Sequence, residues 1–239
     1  KADVRFPVTE ESDVNPQTPY SVNKMQIEED LTTISNEDFA PILLRFSTVF
    51  GYSPKIRFDL IVNMFAGMAF VNGEILLNSD GKAWRPLVSI KDIARSVGLS
   101  IEYMHKGPKP LVLNVGFNDH NFTVLEIVEA VKKVIPNTKV GFLNSANVED
   151  DLKEIIQDRK LNDGVDSRTY RVNFDKIDNV YPEFKVGRTT LEEGIKELYE
   201  MYQMKEMDLL EFKRTPYYRL QMMEKLLNTS KIDKNLNWI

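Results

Sequence analysis

Short β-branched apolar runs alternate along this chain with stretches whose hydrophobic residues recur every three or four positions. The former read as strands buried in a sheet, the latter as helices with one face turned inward. The first helix opens in NPQTPYSVNK, residues 15–24: Thr18 offers a capping hydroxyl, Pro19 suits the first helical position, and Met25, Ile27, Leu31 and Ile34 continue a loosely amphipathic run. APILLRFSTVF (40–50) reads as a strand ending in a loop at Gly51, and LIVNMFAGMAFV (60–71) as part of a buried helix from about Phe58 to Val71. GEILLNSDGKAWRPLVSI (73–90) predicts two short strands around a turn at Ser79–Gly81, and KDIARSVGLSIEYMH (91–105) a helix with Asp92 near its positive end. LVLNVG (111–116) is a strand ending in glycine.

Thr123 and Glu126 form a T-x-x-E box for the next helix, which Pro136 and Asn137 stop before the strand TKVGFL. Residues 144–169 are charged and weakly periodic, a solvated excursion with a helical turn or more. Thr190 and Glu193 repeat the capping pattern ahead of LEEGIKELYEMYQM, and PYYRLQMMEKLL predicts a final helix before an irregular tail. The alternation predicts an α/β architecture with mixed strand directions towards the C-terminus.

At 239 residues and 42% hydrophobic, the chain can bury a substantial core as one large domain or two small ones. A net charge of −5 argues against broad nucleic-acid binding, and the most apolar run is too short to cross a bilayer. The absence of cysteine excludes disulfides, thiol nucleophiles and thiolate metal sites, and fits a reducing, cytoplasmic setting. His105 and His120 sit in polar or Gly/Pro-rich stretches and read as surface loop histidines.

Tyr20 and Lys24 are four residues apart, so on a helix they share a face. A phenol titrates near pH ~10, and a cation on the next turn favours its phenolate, which makes the pair a proton-transfer device. The alternative is an accident of a Lys-rich chain. A second Tyr-x-x-x-Lys, Tyr181 to Lys185, has Pro182 after the Tyr and Gly187 beyond it and suits a turn. No strand is followed by G-x-G-x-x-G, so the sequence carries no dinucleotide phosphate cradle of that type.

Seven segments, taken in order, carry a stronger signal: VTEES (8–12), NPQTPYSVNK (15–24), LLRFSTVFG (43–51), RFDLIVN (57–63), DGKAWRPLVSIKDIAR (80–95), NVG (114–116) and DSRTYRVNFDKI (166–177). Together they resemble the extended short-chain dehydrogenase/reductase family, largely epimerases and dehydratases of nucleotide sugars. The resemblance implies the C-terminal part of a Rossmann-like fold plus a smaller mixed α/β substrate-binding lobe. Residues 1–56 would be the remainder of the dinucleotide-binding domain and 57–239 mainly the substrate lobe, with about 87–120 returning to the first. Lys1 would lie roughly in the middle of the nucleotide-binding domain, with the glycine-rich half and the family's catalytic Ser or Thr ahead of it, so that the piece alone would be incompetent.

The resemblance further implies NAD, or NADP in its place, as cofactor and a nucleotide sugar as substrate, with no nucleic-acid or membrane partner and a homodimer as an assembly to test. Tyr20 would be the acid/base and Lys24 its electrostatic partner and a ligand of the cofactor ribose. Phe46, Ser47 and Thr48 would lie beside the nicotinamide, although many members have Asn where Thr48 stands. Asn63, Arg85 and Arg168 match positions that hold the substrate diphosphate. Ser89, where members often have His, reads as a structural change. The competing reading is a non-catalytic or degenerate subunit without a cofactor site of its own.

Overall fold

The computed structural model describes residues 5–142 and 169–239. In chain order its principal elements are α1 (Pro19–Ile34), β1 (Ile42–Phe46), β2 (Thr48–Phe50), α2 (Ile61–Asn72), β3 (Glu74–Leu77), β4 (Trp84–Ser89), α3 (Ile90–Glu102), β5 (Leu111–Val115), β6 (Asn121–Thr123), α4 (Val124–Val134), β7 (Lys139–Phe142), α5 (Asp175–Val180), α6 (Leu191–Met204), α7 (Leu209–Phe212) and α8 (Arg219–Asn228). They fall into two compact units, the first drawn from 5–49, 83–123 and 169–189, the second from 50–82, 124–142 and 190–239.

In the first unit β1 and β5 pair in parallel, Ile42 opposite Leu111 through Phe46 opposite Val115, and β2, β4 and β6 form a second small sheet in that order. The predicted single strand over 40–50 is two, because the chain changes partner at Ser47, whose N–H still reaches Val115 O at 3.2 Å before β2 turns to β4. β6 was not expected from its polar sequence. It pairs antiparallel with β4, and the neighbouring side chains do the rest: Asn121 exchanges hydrogen bonds with both backbone groups of Val172, and Asn118 Oδ1 accepts the Phe174 N–H. These bonds close a core of Val88, Ile93, Leu113, Val115, Phe117, Val172, Phe174, Ile177, Tyr181 and Phe184.

α3 owes its start to Ser89, which is buried and accepts the Lys91 N–H at 3.2 Å, the structural role expected for it. Asp92, also buried, accepts from Arg95 and from the Thr189 N–H. The surface expectation for His120 is overturned: it is 4% exposed, edge-on to Phe117 at 5.0 Å between ring centroids and tilted against Phe122 at 5.8 Å. The turn that holds it packs its imidazole among aromatic rings, which its local sequence does not reveal. Tyr181 ends α5, just ahead of a 3-10 turn over Pro182–Lys185, and its buried hydroxyl meets Ser100 Oγ at 3.1 Å. Burial pushes that phenol above its ordinary value.

In the second unit α2 supplies the central helix. It begins at Ile61, not Phe58, since Leu60 is extended and serves as N-cap. Eight consecutive α2 residues, Val62 to Ala69, are buried, and Gly73 in the left-handed conformation (φ 68°) ends the helix. β3 and β7 pair in parallel. Phe58 stacks in an aromatic cluster with Tyr217 (4.4 Å), Phe212 (4.8 Å) and Tyr202 (5.8 Å). α6 starts with the Thr190/Glu193 capping box that its sequence predicts, and α8 is the final helix. No helix among the described residues is long and apolar enough to cross a membrane.

Candidate active site

The site begins with α1. Thr18 Oγ1 accepts the Ser21 N–H while Ser21 Oγ accepts the Thr18 N–H, a reciprocal cap in which Ser21 takes the place usual for Glu or Gln. Pro19 follows at the first helical position. The helix so started carries Tyr20 and Lys24 on adjacent turns, and Lys24 Nζ lies 5.6 Å from the centroid of the Tyr20 ring, within cation–π reach. Both side chains are exposed, Tyr20 to 72%. The same stripe continues to Glu28, four residues past Lys24.

Glu28 meets Arg45 of β1. The guanidinium donates from Nε at 3.0 and 3.1 Å and from Nη2 at 2.6 Å to the Glu28 carboxylate, and from Nη1 at 3.1 Å to Glu10 O. The Glu28 carboxylate holds Arg45 above even its ordinary range. Asn114, opposite Arg45 in the β1–β5 register, donates its backbone N–H to Glu10 Oε1 at 2.7 Å. The 9–12 turn is itself closed by Thr9 N–H donating to Ser12 Oγ.

Beyond Arg45 the strand end presents Phe46, 45% exposed, and Ser47, and both line a cleft of about 260 Å³ shared with Ser12, Asp13, Asn114 and Tyr170. Ser47 faces Gly116, where an added Cβ would stand 2.9 Å from Ser47 Oγ and 2.6 Å from the Phe174 ring, so only glycine lets the two segments approach. Thr48 opens β2. A second, shallower hollow lies along the first turns of α1 beside Pro16, Val22 and Gln26.

The diphosphate candidates are placed as follows. Arg85 lies on β4 opposite Phe122 and is half-buried, with Nη1 donating to Trp84 O at 2.7 Å. Asn63 belongs to the second unit and is 2% exposed; its Oδ1 accepts the Gly51 N–H at 2.9 Å and its Nδ2 donates to Arg57 O at 3.0 Å. Both of these bonds are to backbone groups. Arg168 lies outside the described residues. The structure brings Tyr20 and Lys24 together on one helix, and Phe46 and Ser47 at one cleft. What sequence reasoning missed is the link between helix and strand, Glu28 with Arg45. Its signals were a charged residue inside the apolar strand ILLRF and a carboxylate in register with Tyr20 and Lys24.

A second charged site in the same unit is Asp119 with Arg188, joined by two 2.5 Å bonds, with the guanidinium 5.4 Å from the Phe117 ring centroid. Arg188 holds the Asp119 carboxyl below its ordinary range.

Residues 2–116, which include Tyr20, Lys24 and the strand end, match the model of the NAD dependent epimerase/dehydratase family. Among known sequences, a UDP-glucose 4-epimerase of Lactobacillus helveticus is 27% identical over 147 residues, an alignment covering 54% of this chain and 44% of that protein. Among solved structures, an NAD dependent NDP-hexosamine 5,6-dehydratase of tunicamycin biosynthesis superposes with a TM-score of 0.64 at 21% identity, covering 85% of this chain and 59% of that one. A UDP-N-acetylglucosamine 4-epimerase from Methanobrevibacter ruminantium gives 0.63 at 21%, covering 86% and 59%. At these identities the structural likeness speaks for the fold, a Rossmann-like mixed α/β arrangement with parallel strand pairs. The chain spans roughly 44–59% of the length of these three proteins.

Proposed function

We propose that this chain forms the Tyr/Lys half of an NAD-dependent enzyme that epimerises or dehydrates a nucleotide-activated sugar. The observation that carries the reading is the Tyr20–Lys24 pair on a capped helix within the family-matched residues, with the ammonium 5.6 Å from the phenol ring. In this reading 5–49 with 83–123 and 169–189 are the dinucleotide-side unit, and 50–82, 124–142 and 190–239 the substrate lobe.

The donor set suits the nicotinamide end of the cofactor. An exposed Lys24 ammonium would hold the ribose hydroxyls, and the Phe46 ring with the Ser47 and Thr48 hydroxyls would flank the nicotinamide at the strand end. Bound NAD supplies hydride exchange at a sugar carbon. Tyr20 takes or returns the proton of the hydroxyl on that carbon, with the Lys24 ammonium one turn away as its electrostatic partner. Arg85 would hold the substrate diphosphate, where a planar fork suits phosphate oxygens.

The test mixes the native protein with NAD and a panel of nucleotide sugars and follows the sugar by NMR. Tyr20→Phe should lose turnover by about 10²- to 10⁴-fold and keep cofactor affinity, because the ring remains while the transferable proton is gone. Lys24→Met should weaken both. Turnover of Tyr20→Phe within a fewfold of wild type would overturn the assignment of Tyr20, and a wild-type protein that converts none of the sugars would overturn the enzymatic reading.

A further inference from the structure

We infer that Arg45 is a positioning residue that sets the Tyr20–Lys24 helix against the end of β1, acting through Glu28 and the 9–12 turn; this rests on the roles of Tyr20 and Lys24 proposed above. α1 buries none of its sixteen side chains, so apolar packing does not fix its pose. Among the described residues two polar ties hold it: the Arg45–Glu28 fork near mid-helix, and an exposed hydrogen bond from Ser35 Oγ to Pro108 O at the far end. The fork is the stronger, being charge-assisted, multidentate and only partly solvated, with the Arg45 and Glu28 side chains 29% and 26% exposed.

Glu28 is on the Tyr20–Lys24 stripe, so whatever holds Glu28 also sets the rotation of that stripe about the helix axis. Arg45 holds it from the residue immediately before Phe46, and its remaining donor anchors Glu10 O, while Asn114 across the register anchors the Glu10 carboxylate. One guanidinium thus joins the helix that carries the proton donor, the strand that ends at the cleft, and the turn that lines it. Lysine cannot reproduce this, because its ammonium has no planar fork to meet the carboxylate and a carbonyl at once.

The geometry makes Tyr20 sensitive to the tie. Eight residues of helix separate it from Glu28, about 12 Å at about 1.5 Å per residue. A tilt of about 5° at Glu28 therefore displaces Tyr20 by about 1 Å, a misplacement that costs on the order of 10²-fold in rate.

The experiment compares Arg45→Met, Arg45→Lys, Glu28→Gln and the Arg45→Met/Glu28→Gln double variant in the native protein. Positioning predicts that Arg45→Met lowers kcat about 10- to 100-fold with sugar KM and NAD affinity within threefold, that Arg45→Lys recovers only part of the loss, and that the double variant is no worse than Arg45→Met. A fall in Tm with kcat unchanged, or additive losses in the double variant, would overturn it. Hydrogen exchange of the α1 amides supplies a readout independent of turnover: Arg45→Met should speed exchange over 23–34 about tenfold and leave α6 unaltered. If the wild type turns over no nucleotide sugar, the proposed function fails, and the tie is judged by exchange alone; unaltered α1 exchange then overturns it.

Discussion

Asn63→Ala isolates a single buried amide whose work can be counted. The side chain bridges two backbone groups, accepting from Gly51 N–H at 2.9 Å in a buried setting and donating to Arg57 O at 3.0 Å in a partly buried one. Alanine leaves both without that partner. An orphaned buried donor costs about 1–3 kcal/mol, and the Arg57 carbonyl, nearer to water, about 1 kcal/mol. Alanine regains about 0.5–0.7 kcal/mol of helix propensity over asparagine, so the net loss is about 1.3–3.5 kcal/mol. Urea unfolding followed by far-UV circular dichroism, with the slope checked for constancy, reads this directly. Asn63→Asp keeps the acceptor for Gly51 but sets a carboxylate against the Arg57 carbonyl, and desolvation raises its folded pKa above the unfolded value of about 3.9. Its stability should be greatest below that value and fall as pH rises through the folded pKa, whereas Asn63→Ala should show no such pH dependence relative to wild type. An Asn63→Ala protein within about 0.5 kcal/mol of wild type would refute the reasoning, because the bridge would then contribute less than one ordinary hydrogen bond.

Gly67→Ala should destabilise by about 1 kcal/mol by thermal melting: its Cβ would stand 2.2 Å from the buried Phe212 ring, and about 1–3 kcal/mol of overpacking outweighs about 1 kcal/mol of helix propensity. The fully buried Tyr202 hydroxyl donates to Asn63 O at 2.9 Å, and desolvation pushes its pKa well above the ordinary value. Its contribution is therefore complete below the unfolded value of about 10 and is lost as pH rises beyond it, so Tyr202→Phe, weaker at neutral pH, should lose less stability than wild type between about pH 9 and 11 in chemical denaturation. Arg188 lowers the Asp119 pKa, so the pair stabilises above the unfolded value of about 3.9 and its contribution fades as pH falls through the folded one. With the Asp119 side chain 59% exposed, the solvent-screened effect is about 0.5 kcal/mol, and NMR titration should show the Asp119 pKa rising in Arg188→Met.

The readable parts of this protein are those whose causes lie within a few residues. Thr18 and Pro19 announce the start of α1, Thr190 and Glu193 that of α6, and the spacing of Tyr20 and Lys24 puts them on one helical face wherever the helix is placed. The order of seven short segments pointed to the family, because order along the chain is itself a property of sequence. Other features depend on groups distant in sequence. Ser47 marks a change of strand partner only because β5 and β4 come up on either side of it, some forty to seventy residues later. The imidazole of His120 lies in polar sequence yet is sheltered by aromatic rings of its own turn, and Asn121 builds a strand-like link to Val172, fifty-one residues away. Burial and hydrogen-bond partners of this kind are set by which segments meet, and local propensity carries no record of it. The same holds for the site. Sequence placed the phenol and the ammonium on one helix; tertiary structure alone decided that Arg45 reaches across from β1 to Glu28, because a fork closes on a carboxylate only where two elements bring them within 3 Å.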